Sequence, residues 1–324
     1  MRLLLSLLLT GLLAVADGAC TASLAQGYPD RSVRMIVPFP AGGATDVTGR
    51  ILAEELTARF KQTFIIENRP GAAGTIGIDQ VAKAKPDGYT LGVSGVGPTA
   101  IFPILDSKLP YNPARDLEMI AGLSTVNLVV LARPGFAPGN MKELIEHARA
   151  NPGKVTFSTA GVAGPAQLQA ENLSLFANIK MLHVPFAGDT PAIAAVLSGD
   201  VDIAFVAVAS SVGFITGGKL KALGVGKPDS ALPSVATVAE QTGFKEFTGY
   251  TWNVLMSAKG TPADVIEKLN RAINEIVAKP EVVAKLANVG LGVLPGNVKA
   301  TADFVAGEAA TYKRVIEVTG VKRE

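Results

Sequence analysis

Apolar residues crowd the stretch Val33 to Val37, halt at Pro38 and Pro40, and resume at Val47, Ile51, Leu52, Leu56 and Phe60 with Arg50, Glu54, Glu55 and Arg59 between them. The first spacing predicts a buried strand and the second an amphipathic helix over 46–60. A short strand at 63–67, a helix near 78–84 and a strand at 89–94 follow, separated by Gly- and Pro-rich turns. The pattern restarts after the Pro-rich passage 109–113. A long apolar strand is expected at 123–131, a helix from the Asn140 cap through Ala150, a strand at 155–159 and a helix at 165–177. Further expected elements are an extended segment at 181–185, a helix opening on Thr190 and Pro191, and strands at 200–208 and 220–225. From Tyr250 to Met256 the chain runs extended again. Thr261 and Pro262 then open a strongly amphipathic helix, and further helices are expected at 280–287 and 301–318.

Strands alternating with helices predict an α/β fold with a largely parallel sheet and right-handed crossovers. Two units on the same plan imply two domains. The strand-poor C-terminal block is expected to return and cover the first sheet, so domain 1 comprises 26–125 and 250–324 and domain 2 comprises 126–249. Two segments, near Thr125 and Gly249, would cross between them.

The N-terminus changes what counts as the mature chain. Met1 and Arg2, the apolar run Leu3 to Ala16, and small residues at Ser23 and Ala25 have the form of an export signal, predicting a signal peptide over 1–25 and a periplasmic protein. Lipidation at Cys20 is the alternative to cleavage after Ala25, although Asp17 stands where a lipidation site wants an aliphatic residue. Cleavage after Ala25 would remove the single cysteine, leaving no disulfide or thiolate chemistry. A formal net charge of +2 and no Lys/Arg run longer than Lys322–Arg323 give no nucleic-acid or polybasic membrane signature.

Catalytic signatures are scarce. There is no GxSxG elbow, no HExxH pair and no Gly-rich loop ending in Gly-Lys-Ser/Thr. Gly95 to Ala100 fits GxGxxA after a strand, but Pro98 interrupts it. Of the two histidines, His147 sits among charged residues on a solvated helix face, and His183 at a strand end reads as structural. Asp200 and Asp202 read as holding turns. Neither a metal nor a cofactor is indicated.

Three Gly-rich loops instead follow strands, at 40–46, 94–97 and 158–164. Ligands of α/β domains bind outside the carboxyl ends of strands. Pro40, Ala41, Gly42, Gly43 and Ala44 let backbone amides approach a ligand, and Thr45 or Asp46 is expected to cap the following helix, whose N-terminus favours an anion. Hydroxyls of Thr45, Ser94, Ser158 and Thr159 add donors suited to a small carboxylate.

The ordered segments VPFPAGGATDVTGRILAEEL, ENRPGAAGTIG with AKAKPDGYTL, and LHVPFAGDTPAIAAVLSGDVDIAF resemble the Bug family, the extracytoplasmic substrate-binding proteins of tripartite tricarboxylate transporters. PSVATVAEQTG and GTPADVIEKLNRAINEIVAKPEV are similar to its later segments, so the resemblance spans the mature chain. It implies a two-domain periplasmic binding-protein fold, type II-like and Venus-flytrap in form, with a ligand cleft between two Rossmann-like lobes. It implies a small organic carboxylate as ligand, a membrane permease as partner, no enzymatic activity, and a monomer. The loop Phe39 to Asp46 and the loop from Ser158 through Thr159, Ala160 and Gly161 to Gly164 would pinch one carboxylate, with Phe186 also at the ligand. Two departures stand out: Gln167 where the family commonly has His, and Val206 where it commonly has an acid. An exported α/β enzyme acting on a small carboxylate, or a binding protein serving a sensor, remain alternatives.

Overall fold

The computed structural model describes residues 27–244 and 247–322; the expected signal segment at 1–25 lies outside them. The first unit runs β1 (Val33–Val37), α1 (Ala44–Phe60), β2 (Phe64–Asn68), α2 (Thr75–Ala82) and β3 (Thr90–Gly95). The expected loop after β3 is instead a wide helical turn, Gly97–Ile101, running into Phe102–Leu105. β4 (Leu117–Ala132) leads to the second unit: α3 (Met141–Ala150), β5 (Thr156–Thr159), α4 (Pro165–Ala177), β6 (Leu182–Pro185), α5 (Asp189–Ser198), β7 (Ile203–Ala207), α6 (Val208–Thr216), β8 (Lys221–Val225) and α7 (Val238–Thr242). The chain returns through β9 (Tyr250–Ala258), α8 (Ala263–Val277), α9 (Pro280–Ala287), β10 (Leu291–Val293) and α10 (Val298–Thr319).

The strands lie in the order β2-β1-β3-β9-β4-β7-β5-β6, with β8 and β10 also pairing β4. Each unit keeps a parallel core, β2-β1-β3 in one and β7-β5-β6 in the other. The sheet as a whole is mixed rather than largely parallel. β9 re-enters the first unit alongside β4 and must run back against it, so it is antiparallel to both β4 and β3.

Successive strand residues point to opposite faces, and helices cover both. In β1, Val33, Met35 and Val37 join a core with α1 and α8, while Ile36 faces a second core with α2 and α10. In β4, Val130 and Ala132 face α3 and α4, while Val129 and Leu131 face α5. Two layered cores therefore flank each half of the sheet.

The 16 residues of β4 serve both halves. From Leu117 to Asn127 it pairs with β9, and from Leu128 onward with β7 and β8. At the changeover, the Leu128 amide donates to Gly249 O at 3.0 Å, and its carbonyl accepts from the Gly226 amide at 2.9 Å. A side-chain clasp spans the halves nearby: Gln169 Nε2 on α4 donates to Thr248 Oγ1 at 2.8 Å and to Tyr312 OH on α10 at 3.2 Å.

Candidate functional site

The carboxyl ends of β1, β3 and β5 converge on a cavity of about 350 Å³. Wider depressions exist, one of about 630 Å³ around Arg31, Arg34 and Lys83, but none of the Gly-rich loops reaches that one. The first half contributes Phe39, Ala44 and Thr45 from the β1–α1 connection, Gly95 to Pro98 and Phe102 from the turn after β3, and Thr251, Trp252 and Asn253 from β9. The second half contributes Ala160, Val162, Gly164 and Pro165 from the β5–α4 connection. Both α1 and α4 begin at this cavity, with Gly43 and Gly164 at their N-caps. Neither cap has a side-chain hydrogen bond, so backbone amides of the first turn of α1 are left to point outward.

Neither Thr45 nor Asp46 caps α1, which starts at Ala44. Asp46 folds its carboxylate back under the loop instead. Only 2% exposed, it accepts from the Gly42 amide at 2.9 Å, Arg50 Nε at 2.9 Å and Asn68 Nδ2 at 2.8 Å. Asn68 Nδ2 also donates to Phe39 O at 3.0 Å, so both sides of the loop are fastened to β2. Burial alone would raise the Asp46 pKa, but these donors, Arg50 foremost, outweigh it and hold the carboxyl below its ordinary value. Gly42 bends the chain at φ +89, a left-handed conformation that glycine accepts without strain.

Thr45 reaches across the cavity wall. Its hydroxyl donates to Asn253 Oδ1 at 2.7 Å, Asn253 Nδ2 donates to Ser124 Oγ at 3.0 Å, and Ser124 Oγ shares a proton with Thr48 Oγ1 at 2.8 Å. This chain of neutral groups ties α1 to β4 and β9. Trp252, almost wholly buried, donates its indole N–H to Glu308 at 3.1 Å, and burial raises the Glu308 pKa against the lowering effect of its donors.

The second loop is built differently from expectation. Ser158 is fully buried and its hydroxyl faces backbone carbonyls of Ala192, at 3.1 Å, and Ile203. Thr159 donates to Gly161 O at 3.0 Å, spending its only proton, so the 2.7 Å contact with His183 Nε2 requires the imidazole to donate. Burial pulls the His183 pKa down to about 4, consistent with a neutral ring. Gln167, at the position where a His is usual, accepts from the Ala163 amide at 2.7 Å and stiffens the loop from inside.

Of the residues expected from the sequence, the structure brings Phe39, Ala44, Thr45, Ala160 and Gly164 to the cavity lining. Pro40, Ala41, Gly42 and Gly43 form the exposed arch of the first loop beside it, and Asp46 lies beneath. Ser94, Ser158 and Thr159 are buried strand-end groups outside the lining, and Gly161 bends the second loop at φ +113. Phe186 donates its backbone amide to Thr159 O at 3.0 Å and packs into the α5 core rather than the cavity. Thr251, Trp252 and Asn253 escaped sequence reasoning. The signal available for them is an asparagine beside Trp252 in the middle of a largely apolar strand. Among the described residues, no group of three or more His, Cys, Asp or Glu could hold a metal ion, and no helix is long and apolar enough to cross a membrane.

The model of the tripartite tricarboxylate transporter family receptor matches residues 48–321. The chain belongs to that receptor family. BugT of Bordetella pertussis is 33% identical over 315 residues, covering 96% of each chain. A TctC solute-binding protein from Polaromonas superposes with a TM-score of 0.78 at 28% identity, over 90% of this chain and 99% of that one. MatC from Rhodopseudomonas palustris, solved with bound malate, gives 0.69 at 29% identity, over 89% and 100%. The two-domain periplasmic binding-protein architecture expected of a Bug-type receptor is thereby established for this chain.

Proposed function

We propose that this receptor captures a small organic carboxylate between its two lobes and delivers it to the membrane permease of a tripartite tricarboxylate transporter. The observation that carries the reading is the convergence of two helix N-termini, from opposite halves of the sheet, on one cavity. Amides at the start of α1 supply hydrogen bonds and a positive dipole end to one carboxylate without any lysine or arginine. A ligand touching both loops is held fully only when the lobes are closed, and its differential affinity then drives closure. A family relative solved with malate supports the carboxylate.

The lobes are taken as 26–125 with 250–324, and 126–249; the switch of β4 pairing between Asn127 and Leu128 supports that division. The pinching set is Phe39 to Asp46 with the loop 158–164, refined by Asn253, which anchors Thr45. Signal-directed export to the periplasm through residues 1–25 belongs to the same reading. An enzymatic role finds no support in His183, whose Nε2 is spent on Thr159.

The test is calorimetric titration with a panel of carboxylates on wild type and Gly43→Trp. Gly43 sits at φ −77 and ψ 167 with open space around an added Cβ, so the substitution covers the α1 amides without straining the backbone. Loss of binding in the folded variant is expected; unchanged affinity would move the site elsewhere.

A further inference from the structure

The cavity's walls narrow the ligand beyond its carboxylate. Phe39, Phe102, Val126 and Val162 supply apolar side-chain surface, with Val96 and Trp252 almost wholly buried behind it, and the polar side chains are limited to Thr45, Thr251 and Asn253. None of the lining residues carries a charge. The Asn253 side chain is buried and engaged, accepting from Thr45 and donating to Ser124. Of the ionisable groups one step behind the lining, Glu308 behind Trp252 is an acid, Asp46 is paired with Arg50, burial holds the His183 pKa down at about 4, and Lys227 is laid over the Tyr250 ring with its ammonium 4.1 Å from the centroid.

We propose that the ligand is a monocarboxylate with an apolar, ring-sized body, of the benzoate or phenylacetate class, and that polycarboxylates are discriminated against. This rests on the carboxylate reading above. One carboxylate, pinched between the two loops, takes up the N-terminal turns of both α1 and α4. A second would lie against phenyl and valine surfaces, giving up its hydration with no charged residue in the lining to compensate. An aromatic or alicyclic body gains contact with those same surfaces. A volume of about 350 Å³ falls at the small end of ligand sites, typically about 300–1,000 Å³, and suits one ring with a short acid arm.

The experiment titrates the full mature chain with benzoate, phenylacetate and cyclohexanecarboxylate, and in parallel with malate, adipate and citrate. The best apolar monocarboxylate is expected to bind about 100-fold more tightly than any of the three polyacids, in line with the cost of leaving a buried polar group without a partner. Val126→Lys, at a half-buried lining position on β4, should narrow that ratio by about tenfold by offering the second carboxylate a cation. A polyacid that binds the wild type as tightly as the best monocarboxylate overturns the proposal while leaving the carboxylate site intact. Absence of binding by all six compounds overturns both the proposal and the receptor reading beneath it.

Discussion

Replacing Asp46 by Asn tests whether the first loop is held in shape by a buried carboxylate. The side chain keeps its size, and one oxygen can still accept from Asn68 Nδ2. The new amide nitrogen, however, faces the Gly42 amide and Arg50 Nε, two donors that both used Asp46 Oδ2 at 2.9 Å. Hydrogen bonds to a charged group contribute about 1.5–3 kcal/mol each. Arg50 is half exposed and recovers part of its share from water. A net loss of about 2–3 kcal/mol follows, which at about 2–4 °C per kcal/mol lowers the melting midpoint by about 6 °C. The sign with pH is fixed by the depressed carboxyl. A group whose pKa is lower in the folded than in the unfolded chain contributes its stability above the ordinary carboxyl value and loses it as the pH falls through the folded value. Calorimetric melts should therefore show the full deficit of Asp46→Asn at neutral pH and its closure in acid. Carboxylate affinity should fall about tenfold, because the loop amides lose their fixed orientation. An Asp46→Asn protein that melts with the wild type at neutral pH, or whose deficit persists unchanged in acid, refutes this account of the loop.

Two other perturbations probe the frame behind the cleft. Glu308 is buried with a raised pKa, so its contribution is present below the ordinary glutamate value and is lost as the pH rises through the folded value. Glu308→Gln keeps an acceptor for Trp252 and removes the charge, so it should raise the midpoint at pH 8 and converge with wild type in acid; a lower midpoint at pH 8 would contradict this. Gly249→Ala sets a Cβ 2.4 Å from Gly226 Cα at φ +60, where two backbones touch at the changeover between halves. Overpacking and left-handed strain together should cost about 3 kcal/mol in urea melts, and a neutral effect would mean the segments separate easily.

How much of this was legible in the sequence depends on the reach of each interaction. α4 has its expected bounds because Pro165 at its first turn and Asn178 in the left-handed conformation after it are local signals. The start of α1 departs from expectation because Asp46, a fair cap by type, finds a better use 22 residues away on Asn68. The hydroxyl of Ser158 looked available, yet a strand-end side chain takes whichever face the neighbouring strands assign, and here that face is filled by α5 and β7. Asn253 escaped notice because its partner Thr45 is 208 residues distant. The antiparallel course of β9 was hidden for the same reason: only its insertion between β3 and β4 determines direction. The element pattern alone implied two domains joined by two crossing segments, and the family resemblance added that they form two lobes closing on a ligand cleft.

The central claim is that one ligand is held by both loops at once. Ala44 and Ala160 are exposed lining residues, one on each side of the cavity, so a tryptophan at either fills the space without disturbing a core. The decisive measurement is isothermal titration of Ala44→Trp and of Ala160→Trp with the carboxylate that the wild type takes up, alongside melts that verify folding. Both variants are predicted to lose binding while melting as the wild type does. Wild-type affinity retained by either one would mean that its loop does not touch the ligand, and that the cleft between the lobes is not where the carboxylate is held.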